Sequence, residues 1–262
     1  MLSYQHIYHA GNLADLHKHA LLASMLDYLV QKDKPLSYLE THAGRGLYDL
    51  RAPEAVKTGE AAAGILRARA AQWLADDHPL MRVLTAVRAD HGPDAYPGSP
   101  LIAAHLLRPD DAMHLAELHP QEASALRDAM RPYPAHVHRR DGIEMAQSLC
   151  PPNPRRGLLL IDPSYEIKTD YATLPRTIDT LHRKWNVGVI ALWYPILTHG
   201  AQGPMVAALR QAHPKALVHE VRFPPARPGH GMVGSGMVIL NAPWGTERPA
   251  AELSRIFDGL SR

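Results

Sequence analysis

An acid, a proline and an aromatic residue stand together at Asp162-Pro163-Ser164-Tyr165. They follow an apolar run, residues 158–161, short enough for a strand buried on both faces. Pro163 opposes both a continued ladder and an easy helix, so acid and ring are expected on a loop at the strand's carboxyl end. Open α/β sheets place their ligands there, and the chemistry on offer is a carboxylate and a planar ring facing a bound molecule. Taken alone, the segment also reads as an ordinary Asp-Pro turn. Tyr165 and the stretches described next favour a site.

Those stretches put further chemistry-bearing residues near the ends of expected elements. Asn12 reads as a helix N-cap, with Asp15 three residues on. Behind it Leu16, Ala20, Ala23, Leu26 and Val30 recur at helical spacing. His17, Lys18 and His19 interrupt this pattern and by themselves read as helix surface. Residues 36–40 read as a strand, followed by the turn Thr41-His42-Ala43-Gly44-Arg45-Gly46, the first half of a nucleotide-binding β-α unit. The third glycine of the dinucleotide fingerprint is missing, which argues against NAD. Ser99 reads as the N-cap of a helix with Pro100 in its first position. Residues 113–118 read as a strand that brings Glu117 to its end, where a ribose-binding acid would stand. Asp141-Gly142 lies just beyond a short strand at 135–138.

The elements that must position these residues suggest one α/β domain over residues 1–262, with a helical insertion at about 51–97 on the rim of the sheet. Within the insertion, residues 61–74 read as a continuous helix and 80–89 as another. A helix around 175–184 and strands at 187–193, 216–223 and 236–241 follow, while 247–262 carry little signal. A hydrophobic content of 46% allows a full core, and no run approaches membrane-spanning length. The amino terminus lacks a secretory pattern. Cys150, the single cysteine, excludes an intrachain disulfide, fits a cytoplasmic location and reads as a small buried hydrophobe. A net charge of +2 excludes global electrostatic capture of nucleic acid and leaves local groups, including Arg139-Arg140, Arg155-Arg156 and the insertion's Arg51, Lys57, Arg67 and Arg69. Seventeen histidines raise a metal-dependent hydrolase, but His17 and His19 diverge on a helix and no H-E-x-x-H occurs.

Taken together, these residues resemble the class I S-adenosylmethionine-dependent methyltransferases. That resemblance implies a Rossmann-like α/β sheet of seven strands, the last antiparallel. Asp162 to Tyr165 is similar to the acid-or-amide, Pro-Pro, aromatic motif of amino-group methyltransferases. More narrowly, MLSYQHIYHAGNLADLHKH, YLETHAGRGLYDL, YPGSPLIA, ELHP, LLLIDPSYEIKTDY and ALWYP, in that order, resemble the bacterial RlmJ family. Its members methylate the exocyclic N6 of an adenine in 23S ribosomal RNA.

The resemblance assigns roles by matching position. Asp162 and the Pro163 carbonyl would accept hydrogen bonds from the adenine amino group, whose lone pair is otherwise delocalised into the ring. Asp162 would also take the released proton, and Tyr165 would stack on the base. Lys18, His19 and Ser99 would hold the amino-acid end of S-adenosylmethionine, with His42 along it. Glu117 would bind the ribose hydroxyls, and Asp141 with Gly142 would read the cofactor's adenine; Asp162 also borders the cofactor. Tyr4 would meet the RNA. The implied partner is 23S ribosomal RNA, with no membrane, no metal and a monomeric chain. Ser164 departs from the family's second proline, which keeps both acceptors but loosens the loop. A fold that binds RNA without catalysis is the competing reading, and Ser164 is its hint.

Overall fold

The apolar run before Asp162 becomes the middle of the sheet. The computed structural model describes residues 4–227 and 229–260, so Met1–Ser3 of the amino-terminal block lie outside the described residues. The strands are β1 (Ser37–Glu40), β2 (Leu47–Asp49), β3 (Ala95–Pro97), β4 (Ala112–Ala116), β5 (Ala135–His138), β6 (Gly157–Ile161), β7 (Val189–Leu197), β8 (Leu217–Arg222) and β9 (Met232–Leu240). The helices are α1 (Leu13–Val30), α2 (Pro53–Thr58), α3 (Arg67–Ala70), α4 (Pro79–His91), α5 (Ser99–Leu106), α6 (Pro120–Met130), α7 (Gly142–Leu149), α8 (Asp170–Lys184), α9 (Gly203–Ala212) and α10 (Glu247–Asp258).

Seven strands pair in the order β5-β4-β1-β6-β7-β9-β8. β9 runs antiparallel to β7 and β8, and the other pairings are parallel. Every residue of β6 is buried, as a strand covered on both faces requires. On β1, Tyr38 joins one hydrophobic cluster with residues of α1, α5, α6 and α10, and Leu39 joins the other with residues of α7, α8 and α9. From β1 the chain builds outward through β4 and β5, then returns to β6 and builds the other way. The strand order therefore reverses between β1 and β6, and the crevice at their carboxyl ends is the natural ligand site of such a sheet.

Several expectations are corrected. His17, Lys18 and His19 are not helix surface, because all three are buried. α1 lies between the sheet and neighbouring helices, so it has no wide wet face. His17 is satisfied inside by Ser235 Oγ and His219 Nδ1, each at 2.8 Å. Ser99 is the first residue of α5, preceded by Gly98, and its side chain makes no cap bond. The insertion is not purely helical: β2 and β3 form an antiparallel ribbon, and α2 stands where no helix was expected. α7, α9 and α10 are also additions to the expected elements. Lys57, Arg67 and Arg69 are exposed, while Arg51 lies 3.6 Å from Asp94.

The expected helix over 61–74 breaks into a π-type turn at Ala62–Leu66 and the short α3. Its cause is a backbone intrusion. The Gly11 carbonyl accepts the Ile65 N–H at 2.8 Å, and Gly64 bends to φ −90°, ψ −114° beneath it. A Cβ at Gly64 would lie 2.1 Å from the Gly11 oxygen and 2.6 Å from the Asn12 carbonyl carbon. Both neighbours are backbone, so neither yields readily. Gly64→Ala is expected to destabilise the protein by about 3 kcal/mol, the upper range for overpacking, measured as a lower urea midpoint. An unchanged midpoint would show that the contact relaxes freely.

Candidate active site

The carboxyl ends of β1, β4 and β6 open onto a crevice of about 500 Å³. Tyr4, Lys18, His19, His42, Ser99, Glu117, Asp141, Gly142, Asp162, Pro163 and Tyr165 all line it. Residues spread over more than half the chain are thus brought to one cavity, whatever each contributes there.

At its centre the Lys18 ammonium lies 2.6 Å from Asp162 Oδ2, 3.1 Å from Asp15 Oδ1 and 5.3 Å from the centre of the Trp193 ring. Burial alone would discourage its charge, but Asp162 and Asp15 together hold its pKa above the ordinary value. Asp15 also accepts from Gly11 N and faces His6 Nε2, both at 2.9 Å. Burial would raise the Asp15 carboxyl, yet His6, Lys18 and His19 hold it well below the usual range. His19 behaves oppositely, since burial pushes it down to about 3 against the pull of Asp15. It is neutral, with Nδ1 2.8 Å from Tyr96 Oη. Lys18 is therefore tied to carboxylates, and Ser99 donates to Glu40 at 2.5 Å. Both side chains are thus already engaged within the protein.

The other half is built from backbone and acids. The Glu117 carboxylate accepts Gly44 N at 2.8 Å and His119 N at 2.7 Å, which ties the glycine turn to the end of β4. Burial raises its pKa against those two bonds. Asp141 caps α7 by accepting Glu144 N at 2.9 Å through Oδ1, leaving Oδ2 for another partner. Gly142 passes so close to Thr41 that a Cβ would sit 1.8 Å from its carbonyl oxygen. Leu118, 47% exposed, and Ile143 add apolar wall, and His119 Nδ1 is buried without a hydrogen-bond partner among the described residues.

On the Asp162 side, Tyr165 takes a left-handed backbone conformation, φ +57°, and donates its hydroxyl to Trp193 O at 2.7 Å. Tyr4 N donates to Glu166 Oε2 at 3.2 Å, laying the amino-terminal segment against the Asp162 loop.

A family model, ribosomal RNA large subunit methyltransferase D, RlmJ, matches residues 33–258. Ribosomal RNA large subunit methyltransferase J of Escherichia coli is 38% identical over 95% of this chain and 90% of its own length. The protein of the same name from Haemophilus influenzae is 37% identical over 97% of this chain and 92% of its own. The chain belongs to the RlmJ family. A Legionella pneumophila crystal structure superposes on it with a TM-score of 0.86 and 32% identity, covering 96% of this chain and 94% of that one.

S-adenosylmethionine is the cofactor of RlmJ-family methyltransferases, and the adenosyl half of the crevice fits it. Free acceptor positions at Asp141, lone pairs at Glu117, the unpartnered His119 nitrogen and the apolar Leu118 and Ile143 suit a purine nucleoside. Sequence reasoning passed over three lining residues, Asp15, His119 and Trp193, and Glu40 behind Ser99. Glu40 ends a buried strand as Glu117 and Asp162 nearly do, so the same logic of acids at strand ends would have found it.

Glu40 is fully buried, bonded by Tyr38 Oη at 2.8 Å and by Ser99. Burial pushes its carboxyl from 4.5 up to about 8, although both hydroxyls favour the charged form. Below pH 4.5 folded and unfolded chains both hold this proton; between 4.5 and about 8 only the folded chain keeps it. Glu40 therefore erodes stability as pH rises through that window. Glu40→Gln is expected to gain about 2–4 kcal/mol relative to wild type between pH 5 and pH 8. Denaturant titrations at both pH values test this, and a pH-independent difference would show that Glu40 ionises normally.

Proposed function

We infer that the protein transfers a methyl group from S-adenosylmethionine to the exocyclic N6 of an adenine in 23S ribosomal RNA. The observation that carries this reading is the Asp162 carboxylate, held by buried Lys18 in the crevice that Glu117, Asp141 and Tyr165 also line. Two relatives spanning nearly the whole chain, each named as a large-subunit ribosomal RNA methyltransferase, support it.

The amino group of adenine is a weak nucleophile because its lone pair is shared with the ring. Asp162 and the Pro163 carbonyl accept its two N–H bonds, drawing the nitrogen toward a tetrahedral geometry in which the lone pair points outward. The bound cofactor supplies a sulfonium methyl as the electrophile. As the N–C bond forms, Asp162 accepts the proton that leaves N6. Lys18 keeps that carboxylate oriented until then. Tyr165 gives the base its platform. Glu117 takes the ribose hydroxyls, Asp141 and the Gly142 backbone read the cofactor's adenine edge, and His42, His19 and Ser99 border its amino-acid chain. Tyr4, at the mouth, meets the RNA.

Asp162→Ala deletes one acceptor and the proton's destination, so single-turnover transfer is expected to fall at least about 10²-fold. Asp162→Asn keeps an oxygen without its charge and falls between. Ser164→Pro is expected to retain or modestly raise activity. Ser164 Oγ makes only a 3.5 Å contact with Glu166 N. Wild-type turnover in Asp162→Ala would sink the mechanism, and a wild-type protein inert on every unmodified ribosomal RNA would leave an RNA-binding module.

Cofactor binding offers a separate check. Glu117→Ala is expected to weaken S-adenosylmethionine by about 1–3 kcal/mol, the worth of a hydrogen bond to a charged group. Calorimetry showing equal affinity in a folded variant removes Glu117 from the cofactor site.

A further inference from the structure

Tyr165 does not face an open slot. The residue is 9% exposed, and Leu174, Leu192 and Tyr194 share its hydrophobic cluster. Tyr171, the more exposed of the two tyrosines, covers it, with ring centres 4.6 Å apart and planes inclined by 23°. That is the spacing of an offset aromatic stack, and a nucleobase lying on Tyr165 would adopt the same arrangement. The Tyr171 hydroxyl is buried at the crevice wall without a hydrogen-bond partner among the described residues. A buried hydroxyl in that condition disfavours its own position, because turning out to water would satisfy it. Ring contact holds the stack and the hydroxyl opposes it. Tyr171 is the second residue of α8, beside exposed Ile167 and Lys168, so outward rotation need not disturb the sheet.

We propose that Tyr171 occludes the target-base site: in the free enzyme its ring holds the adenine's place on Tyr165, and the incoming base must displace it. This rests on the reading of Tyr165 as the base platform. A base enters when its own stacking, together with the amino-group bonds to Asp162 and Pro163, outweighs the tyrosine stack. Purines with an exocyclic amino group meet that condition, and smaller rings or bases without the amino group do not.

The test is steady-state methyl transfer to unmodified ribosomal RNA and to poly(A), comparing wild type, Tyr171→Ala, Tyr171→Phe and Tyr165→Ala. Tyr171→Ala empties the slot, so KM is expected to fall about three- to tenfold with kcat retained, for ribosomal RNA and poly(A) alike. Tyr171→Phe removes the unsatisfied hydroxyl and settles the ring more firmly, so KM is expected to rise by a similar factor, about three- to tenfold. Opposite movements from the two variants are a signature that a merely structural tyrosine would not give. A raised KM with lowered kcat in Tyr171→Ala would overturn the proposal in favour of a ring that clamps the bound base. A Tyr171→Phe protein indistinguishable from wild type would also overturn it, and decides the matter if the alanine variant fails to fold. Tyr165→Ala separates the underlying reading: full activity there removes the platform itself, whereas lost activity there with unmoved Tyr171 variants defeats this proposal alone.

Discussion

A buried ammonium must be paired, and the arrangement around Lys18 follows from that requirement. Taking a charge out of water is costly unless opposite charges and hydrogen bonds surround it. Asp162 and Asp15 supply them. One ion thereby fixes the first turns of α1 against the end of β6. Asp15 in turn needs Gly11 N and His6, which folds the amino-terminal segment over the crevice. The Gly11 carbonyl then meets Ile65 across Gly64, which ties in the insertion. The Asp162 loop, the amino-terminal segment and the insertion form one chain of dependence that begins at a single nitrogen.

The two halves of the crevice are built differently. On one side, Glu117 and Asp141 use part of their acceptor capacity to fasten backbone, in a crevice that both line. Such acids are rigid because they are structural, and rigidity suits recognition of a cofactor of fixed shape. On the side of Asp162, aromatic rings and long side chains predominate, with Trp193, Tyr165, Tyr171 and Tyr4 in contact with one another or with the loop. That wall suits a substrate that arrives in many forms and must be sorted.

Much of this was legible in the sequence wherever local pattern coincides with tertiary role. The run before Asp162 was short and apolar enough for a strand buried on both faces, and acids after strands pointed to the crevice. The His17-Lys18-His19 triad misled because helical periodicity assumes one wet face, while the partners that let α1 be buried lie far away, Ser235 being 218 residues distant. Asp15 read as a cap and nothing more, since its ties to Lys18 and His6 are invisible to spacing rules. β2 and β3, three residues each, are too short to carry alternation. α10 did carry a signal, with Ala250, Leu253 and Phe257 at helical spacing and buried, hidden among charged neighbours. The Tyr165–Tyr171 stack depends on the angle at which α8 leaves its loop, which no residue pattern states.

The two outer strands of the sheet have a consequence for how the molecule behaves in a crowd. A free strand edge is a template on which another chain can pair. β5 offers only four residues, preceded by Pro134 and followed by Arg139-Arg140, and His136 and His138 project from it beside His114. β8 carries the exposed charges Glu220 and Arg222, packs against α10 and runs toward Pro224-Pro225. Each border is brief, charged or closed by proline, so lateral growth from copy to copy finds no run of open amides to follow. A sheet whose middle strand is wholly apolar is thereby kept from becoming the seed of an aggregate.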